Sequence, residues 1–394
     1  MDNSIFADRI MGVPRSFIRE ILKVALDHSF ISFAGGLPNP DLFPVKELKE
    51  ASGKIFQTFG NDVLQYADSE GYKGLREVIA RRYLDNKGLQ ISPDEVLITT
   101  GSQQGIDLLA KCLLNEGDTL VIEEPSYLAA IQSFSIFRPR FLPVPLKDDG
   151  LDIAGLKRAF AGVKPKLMYT IPTFQNPSGI SYTEENKRAV ASVLEGTRTI
   201  LIEDDPYGEL RFAGRPSSSF KKLIPDKTIL LGTFSKIVAP SLRLGWLVAP
   251  EHIMNKLIVA KQAADLHTSY YLQCMVYQYL KDNDIEQHIE KIRECYGRQC
   301  RAMIASIGDY FPASVTHTRP EGGMFLWAAL PEGLSSRALI DIAMKDKVVF
   351  VPGDTFFVNN KGANTMRLNY SCADEKMIRV GIERLGKAIK QLLG

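Results

Sequence analysis

The chain predicts an α/β protein, a mainly parallel sheet with helices on both faces, followed by a smaller α+β domain. Three observations predict it. Short apolar, β-branched runs recur with helical segments between them, the pattern of strands buried on both faces. The most prominent polar residues fall just after those runs, where an open parallel sheet binds its ligands. After Pro250 the pattern changes to long helical stretches and isolated strand-like runs.

Taken in order, residues 14–27 (PRSFIREILKVALD) have the spacing of a short amphipathic helix. Phe17, Ile18, Ile21, Leu22 and Leu26 share one face, and Arg15, Arg19 and Lys23 lie toward the other. Residues 32–44 are dense in glycine and proline yet apolar, so irregular backbone packed beside a site is expected. Gly35 and Gly36 there allow a ligand to come close. Residues 45–88 are helical in pattern, with a break at 64–74. Five strand-like runs then lead into polar turns. Residues 96–100 lead to Gly101-Ser102-Gln103, 119–123 to Glu124-Pro-Ser-Tyr127, and 167–171 to Gln175-Asn-Pro-Ser-Gly179. Residues 199–203 lead to Asp204-Asp-Pro-Tyr207, and 228–231 to Lys236. Farther on, 270–308 and 336–346 are helical, 322–330, 348–351 and 365–370 are strand-like, and 374–393 forms an amphipathic helix. The expected division is an N-terminal helix and joining segment (1–45), a large α/β domain (46–297) and a small α+β domain (298–394).

Bulk composition narrows the class of function. The 394 residues suffice for two domains and a large core, with 45% hydrophobic and 24% charged residues. A net charge of +2 implies no broad attraction to nucleic acid or to an anionic membrane. The five cysteines are scattered without a CxxC pair, which favours reduced thiols in the cytoplasm, and the five histidines show no metal-binding spacing. The N-terminus has neither the apolar core of a secretory signal nor a transit-peptide composition, and no run has transmembrane length.

The stretch from Thr228 to Trp246 carries the clearest chemistry. A lysine at the exit of a buried strand is partly desolvated, which lowers its pKa and makes it a nucleophile toward carbonyls. Arg243 seven residues later suits a bidentate anion contact, with the hydroxyls of Thr233 and Ser235 beside it. An imine-forming lysine next to a small anion site suggests pyridoxal phosphate. A surface loop with ordinary charges remains the other reading of the same stretch. Ser102 and Gln103, where a strand becomes a helix, fit a phosphate site, and Ser102 fits a simple N-cap equally well. Tyr127 suits either a ring stacked on the cofactor or one more core aromatic. Asn176 and Tyr207 can donate to a phenolate oxygen. Asp204, a carboxylate at a buried strand end, needs a partner, and a pyridinium nitrogen or a structural ion pair would serve; Asp205 suits the ion pair.

Together GTFSK with SLRLGW, QNPSG, EDDPYGEL, TTGSQQG, FAGGLPNPDLFP and NTMRLNYS resemble class I/II aminotransferases of fold type I. Within that class the chain is most similar to the α-aminoadipate/kynurenine aminotransferase group, from about residue 16 to 372. The resemblance implies a seven-stranded sheet in the large domain. It implies that Lys236 carries the cofactor as an imine and shuttles the proton, with Asp204 on the ring nitrogen and Asn176 and Tyr207 on the phenolic oxygen. Ser102, Gln103, Thr233, Ser235 and Arg243 would bind phosphate, Thr233 standing where the family usually has serine, and Tyr127 would stack on the ring. Tyr66 would reach the phosphate of a neighbouring subunit, which implies a homodimer with shared active sites. Arg367 would grip the substrate α-carboxylate, with Gly36 and Asn176 nearby. Arg19, on its terminal helix, would contact the substrate side chain.

The activity so implied is ping-pong transfer of an amino group from 2-aminoadipate, an aromatic or a large aliphatic amino acid to 2-oxoglutarate. Other pyridoxal phosphate chemistry, such as β-elimination, and a non-catalytic effector-binding domain of a regulator are the alternatives.

Overall fold

The computed structural model describes residues 5–13, 21, 27, 29–359 and 361–394. Of the expected helix at 14–27 all but residues 21 and 27, Arg19 included, lies outside the described residues.

Fourteen strands form among these residues. They are β1 (Ile31–Ser32), β2 (Val96–Thr99), β3 (Thr119–Glu124), β4 (Arg140–Lys147), β5 (Gly150–Leu151), β6 (Leu167–Thr170) and β7 (Ile200–Asp204). Then follow β8 (Thr228–Thr233), β9 (Gly245–Val248), β10 (Thr316–His317), β11 (Phe325–Ala329), β12 (Val348–Val349), β13 (Val351–Pro352) and β14 (Thr365–Asn369). The large sheet has the order β2-β9-β8-β7-β6-β3-β4-β5. Its strands β4, β3, β6, β7 and β8 pair in parallel, while β9 runs antiparallel to both β8 and β2. Strands β2, β6, β8 and β9 are buried along their whole length, as expected where helices cover both faces.

The sheet therefore has eight strands, one more than the seven expected. The extra one, β5, is only two residues long and pairs antiparallel with β4 at the sheet edge. Neighbouring β4 holds Pro143 and Pro145 and is largely half-exposed, a position that tolerates missing N–H donors.

A second sheet, β10-β11-β14-β13, is antiparallel throughout and belongs to the C-terminal part of the chain. The N-terminal segment joins this part: β1 pairs in parallel with β12, and Phe33 packs on the closing helix Glu375–Leu393 at Gly381. The long helix Ile285–Tyr310 runs unbroken through residue 298, where the sequence placed the start of the small domain. Among the described residues no helix is long and apolar enough to cross a membrane.

Candidate active site

Because β2, β3, β6, β7 and β8 point the same way, their carboxyl ends line one edge of the sheet. Antiparallel β9 begins at that edge, so Arg243, just before it, arrives there too. These ends enclose a cavity of about 340 Å³ lined by Gly36, Ser102, Gln103, Tyr127, Asn176, Asp204, Tyr207, Thr233, Ser235, Lys236, Arg243 and Arg367. Of the residues that the sequence assigns to catalysis, cofactor or substrate, two are not on this wall, and Gly35 beside Gly36 is not on it either. Arg19 is not described, and Tyr66 is 78% exposed on the surface, edge-on to His267 with ring centroids 5.8 Å apart.

Lys236 closes a short 3-10 turn at the end of β8, whose start is capped by the Thr233 hydroxyl accepting from the Ser235 N–H. The Lys236 Nζ donates to the Gly36 carbonyl at 2.9 Å and has no carboxylate partner among the described residues. Burial, reinforced by the charges of Arg367 and Arg243, lowers its pKa to about 8. A substantial fraction of this amine is therefore neutral near pH 8, as a carbonyl nucleophile must be.

Asp204 ends β7. Its Oδ2 accepts from the Tyr169 hydroxyl at 2.6 Å, and its Oδ1 is buried with no partner among the described residues. Burial raises its pKa to about 7 despite that hydrogen bond, and neighbouring Asp205 adds to the rise. An orphan carboxylate oxygen beside a cavity is costly unless a ligand supplies a donor.

At the other end of the cavity, the helix Ser102–Leu113 starts at Gly101, which has no side chain to cap the first turn. Gly101 lies at φ 75°, and a Cβ there would collide with the Arg243 guanidinium. A Cβ on Gly245 would come within 2.6 Å of the Gly101 carbonyl carbon and the Ser102 nitrogen. Only glycines allow this packing of strand, helix start and arginine. Arg243 itself adopts a left-handed backbone at φ 51°, uncommon for a non-glycine, and its Nη2 donates to the Thr100 carbonyl. Helix N–H groups, the Ser102 and Ser235 hydroxyls and a guanidinium line this end of the cavity, a suitable donor set for a phosphate, while the Thr233 hydroxyl lies toward the Ser235 Oγ and the Leu244 carbonyl. The Gln103 side chain is engaged elsewhere, since its amide donates to the Ser133 hydroxyl at 2.6 Å and ties two helices together.

Four parts of the chain hold Arg367. It donates to Asn176 Oδ1 at 2.9 Å and to the Ala34 carbonyl at 2.7 Å, and its guanidinium lies 4.3 Å from the Phe325 ring centroid and 5.1 Å from that of Phe356. Its Nε has no partner among the described residues, and burial lowers its pKa to about 10. The Asn176 amide then donates to the Tyr207 hydroxyl at 3.3 Å. Tyr127 stands on the wall between these groups, its hydroxyl pushed up to about 12 by burial and by the charge of Asp204.

Sequence reasoning missed the supporting residues. Glu123, buried on β3, accepts from the Ile171 N–H, Gln175 Nε2 and Tyr182 hydroxyl, and so fixes the turn that presents Asn176. Tyr169 and the paired rings of Phe325 and Phe356 were missed as well. A buried tyrosine hydroxyl normally has a partner, so the lone tyrosine in the apolar run 167–171 was the available signal for Tyr169. The phenylalanines gave none.

The residues fit pyridoxal phosphate: a carbonyl for the amine that has no counter-ion among the described residues, an anion for the helix start, and a cationic ring nitrogen for the orphan Asp204 oxygen. Comparison with known proteins agrees. Residues 33–385 match the family model "Aminotransferase class I and II". The chain is 41% identical to the 2-aminoadipate transaminase of Thermus thermophilus, over 97% of this chain and 95% of that protein. It is 38% identical to aromatic-amino-acid aminotransferase 1 of Thermococcus litoralis, over 98% and 94%. The structure of the α-aminoadipate aminotransferase LysN of Thermus thermophilus, complexed with N-(5'-phosphopyridoxyl)-L-leucine, superposes with a TM-score of 0.92 at 39% identity, covering 99% of this chain and 98% of that one. The chain belongs to the class I and II aminotransferase family, in its aminoadipate/kynurenine group. It is a pyridoxal-phosphate-dependent enzyme of amino acid transamination.

Proposed function

We propose that this enzyme transfers amino groups between 2-aminoadipate, aromatic or large aliphatic amino acids and 2-oxoglutarate, with Lys236 as the catalytic base and cofactor anchor. The observation that carries the reading is one cavity holding a half-buried lysine without a counter-ion and a buried aspartate with an orphan oxygen, both among the described residues. When bound, pyridoxal phosphate supplies a carbonyl carbon that takes the amino group and a ring that stores the electron pair left on the substrate α-carbon.

In this reading the helix start at Ser102 and Gln103, the Thr233 and Ser235 hydroxyls and Arg243 hold the phosphate, while Tyr127 covers one ring face. Asn176 and Tyr207 direct donors at the phenolic oxygen, and Asp204 holds the ring-nitrogen proton. Arg367 receives the substrate α-carboxylate as a two-pronged donor between its phenylalanines, with Gly36 and Asn176 at its sides. Lys236 would be the base that takes the substrate α-proton and the acid that gives it back. Arg19 reads a distal carboxylate on the substrate side chain. The activities for which the relatives are named, 2-aminoadipate and aromatic amino acid transamination, support this substrate range.

Tyr66 belongs to a shared site in a homodimer: it is exposed beside Leu64 and Leu266, also exposed, so its hydroxyl is free to reach a second subunit. The division at residues 45 and 297 and a cytoplasmic setting complete the proposal.

Mixing the holoenzyme with single amino acids tests the donor range. Glutamate, 2-aminoadipate, phenylalanine and leucine should each bleach the cofactor absorbance and release one oxo acid per site. A simple amine should not. Turnover of simple amines as fast as amino acids, or release of ammonia with no amine form of the cofactor, would overturn the proposal. Repeating the scan on Arg19→Ala should weaken the dicarboxylates and spare leucine.

A further inference from the structure

We propose that Tyr169 is a positioning residue for this reaction: its hydroxyl, donated to one oxygen of Asp204, keeps that carboxylate ionised and so leaves the proton on the cofactor ring nitrogen. The inference rests on the reading of Asp204 as the partner of that nitrogen.

Register explains how the pair arises. Tyr169 on β6 sits opposite Ile202 on β7, and Asp204 lies two residues farther along the same strand. Residues two apart face the same side of a sheet, so Tyr169 and Asp204 are diagonal neighbours on one face, within reach of a long side chain. The tyrosine is fully buried and its ring is held edge-on by Phe134, with centroids 5.6 Å apart. Its hydroxyl therefore has a fixed direction, and it donates at 2.6 Å.

The need for such a donor follows from burial. A carboxylate and a pyridinium in contact away from water have a competing arrangement, neutral acid and neutral pyridine, with no buried charge. Which arrangement prevails depends on the other hydrogen bonds made by the carboxylate. Tyr169 is the one donor to the Asp204 side chain among the described residues. The other groups that act on Asp204 are Asp205, from the opposite side of the strand, and Glu123, whose charges favour the neutral acid, and the hydroxyls of Tyr127 and Tyr207, which do not bond it. Without the Tyr169 hydroxyl, the proton shared between Asp204 and the ring shifts to the aspartate. The ring then draws less charge from the substrate α-carbon.

The test is the ¹⁵N chemical shift of the ring nitrogen in holoenzyme rebuilt with cofactor labelled at that atom. Wild type should give the protonated position and Asp204→Asn the unprotonated one. Tyr169→Phe should move at least half the way between them, with kcat lowered about tenfold or more, as for loss of a hydrogen bond to a charged group, and KM little changed. The phenylalanine keeps the ring and its contact with Phe134, and Asp204 can protonate, so no stranded charge opposes folding. An apoenzyme melting temperature close to wild type checks this. A wild-type shift in Tyr169→Phe, with Asp204→Asn displaced, would reduce Tyr169 to a packing residue and overturn the inference alone. A wild-type shift in Asp204→Asn as well would overturn the reading of Asp204 itself.

Discussion

Asp204 and Asp205 are consecutive and chemically identical, the first buried and the second nearly so, yet the fold gives them opposite conditions. Asp205 points to the rear of the sheet, where it forms an ion pair with Lys87 and accepts from the Gly208 N–H at 3.0 Å. Burial alone would raise its pKa, but the charges of Lys87 and Lys187 and the hydrogen bonds from Lys87 and Gly208 together outweigh burial and hold it below the usual carboxylate range. Burial would likewise lower Lys87, and Asp205 instead keeps that lysine well above its ordinary value. Toward the cavity, Asp204 has a hydroxyl in place of a cation and is raised to about 7, while Lys236 has a carbonyl in place of an anion and is lowered to about 8. One pair is complete without a ligand, and the other two groups are kept apart, each lacking what a cofactor brings. A buried charge of the first kind serves the fold and one of the second kind serves the chemistry.

Substitution should split the two regions. The largest effect is expected for Lys236→Ala: steady-state activity should fall by at least about four orders of magnitude, while equilibrium dialysis shows the cofactor still bound. A loss of less than about tenfold would place Lys236 with Lys87 as a structural lysine.

Next comes the aspartate pair itself. Asp204→Asn should lower kcat by about 10²–10³, with apoenzyme melting changed by about 2 °C or less. Asp205→Asn should do the reverse. It strands the Lys87 charge and should lower the melting temperature by on the order of 5 °C, with kcat of the folded fraction within a few fold. The two also differ in pH dependence. The contribution of Asp205, a depressed acid, is present at neutral pH and is lost as pH falls through its folded pKa. That of Asp204, a raised acid, is present below about pH 4 and is lost as pH rises through about 7. Equal melting losses in both variants would remove the distinction.

The smallest expected effect concerns pH. Capture of the cofactor aldehyde by apoenzyme, trapped with borohydride, should speed up about tenfold between pH 7 and 9, because the neutral amine reacts and its fraction rises through a pKa of about 8. A midpoint near the ordinary lysine value would show that Lys236 is not desolvated in solution.

The contrast between Asp204 and Asp205 was partly legible in the sequence, since a buried strand end followed by two acids requires two different partners. The parallel core was legible for the same reason: β2, β3, β6, β7 and β8 are uninterrupted apolar runs. Strand β9 was not, because its four residues directly follow the arginine motif and their partners lie on β8 and β2, the latter some 150 residues earlier. Prolines hid β4. Tyr169 reads as core in the sequence because its bond to Asp204 depends on the register of two strands, which local pattern does not contain. Phe325 and Phe356 meet Arg367 through a second sheet, and no short-range signal marks that packing. Arg19 stays a proposal from resemblance.

The anchoring of Arg367 has a consequence for how the enzyme is made. Its two hydrogen-bond acceptors lie 191 and 333 residues earlier in the chain, in different parts of the fold. A ribosome releasing this protein from the N-terminus completes the whole parallel sheet, reactive lysine included, before residue 367 emerges. Until then the nascent chain has no guanidinium at that position with which to grip a carboxylate. Competence in the proposed reaction therefore arrives late in synthesis, with β14, and a prematurely terminated product would lack it.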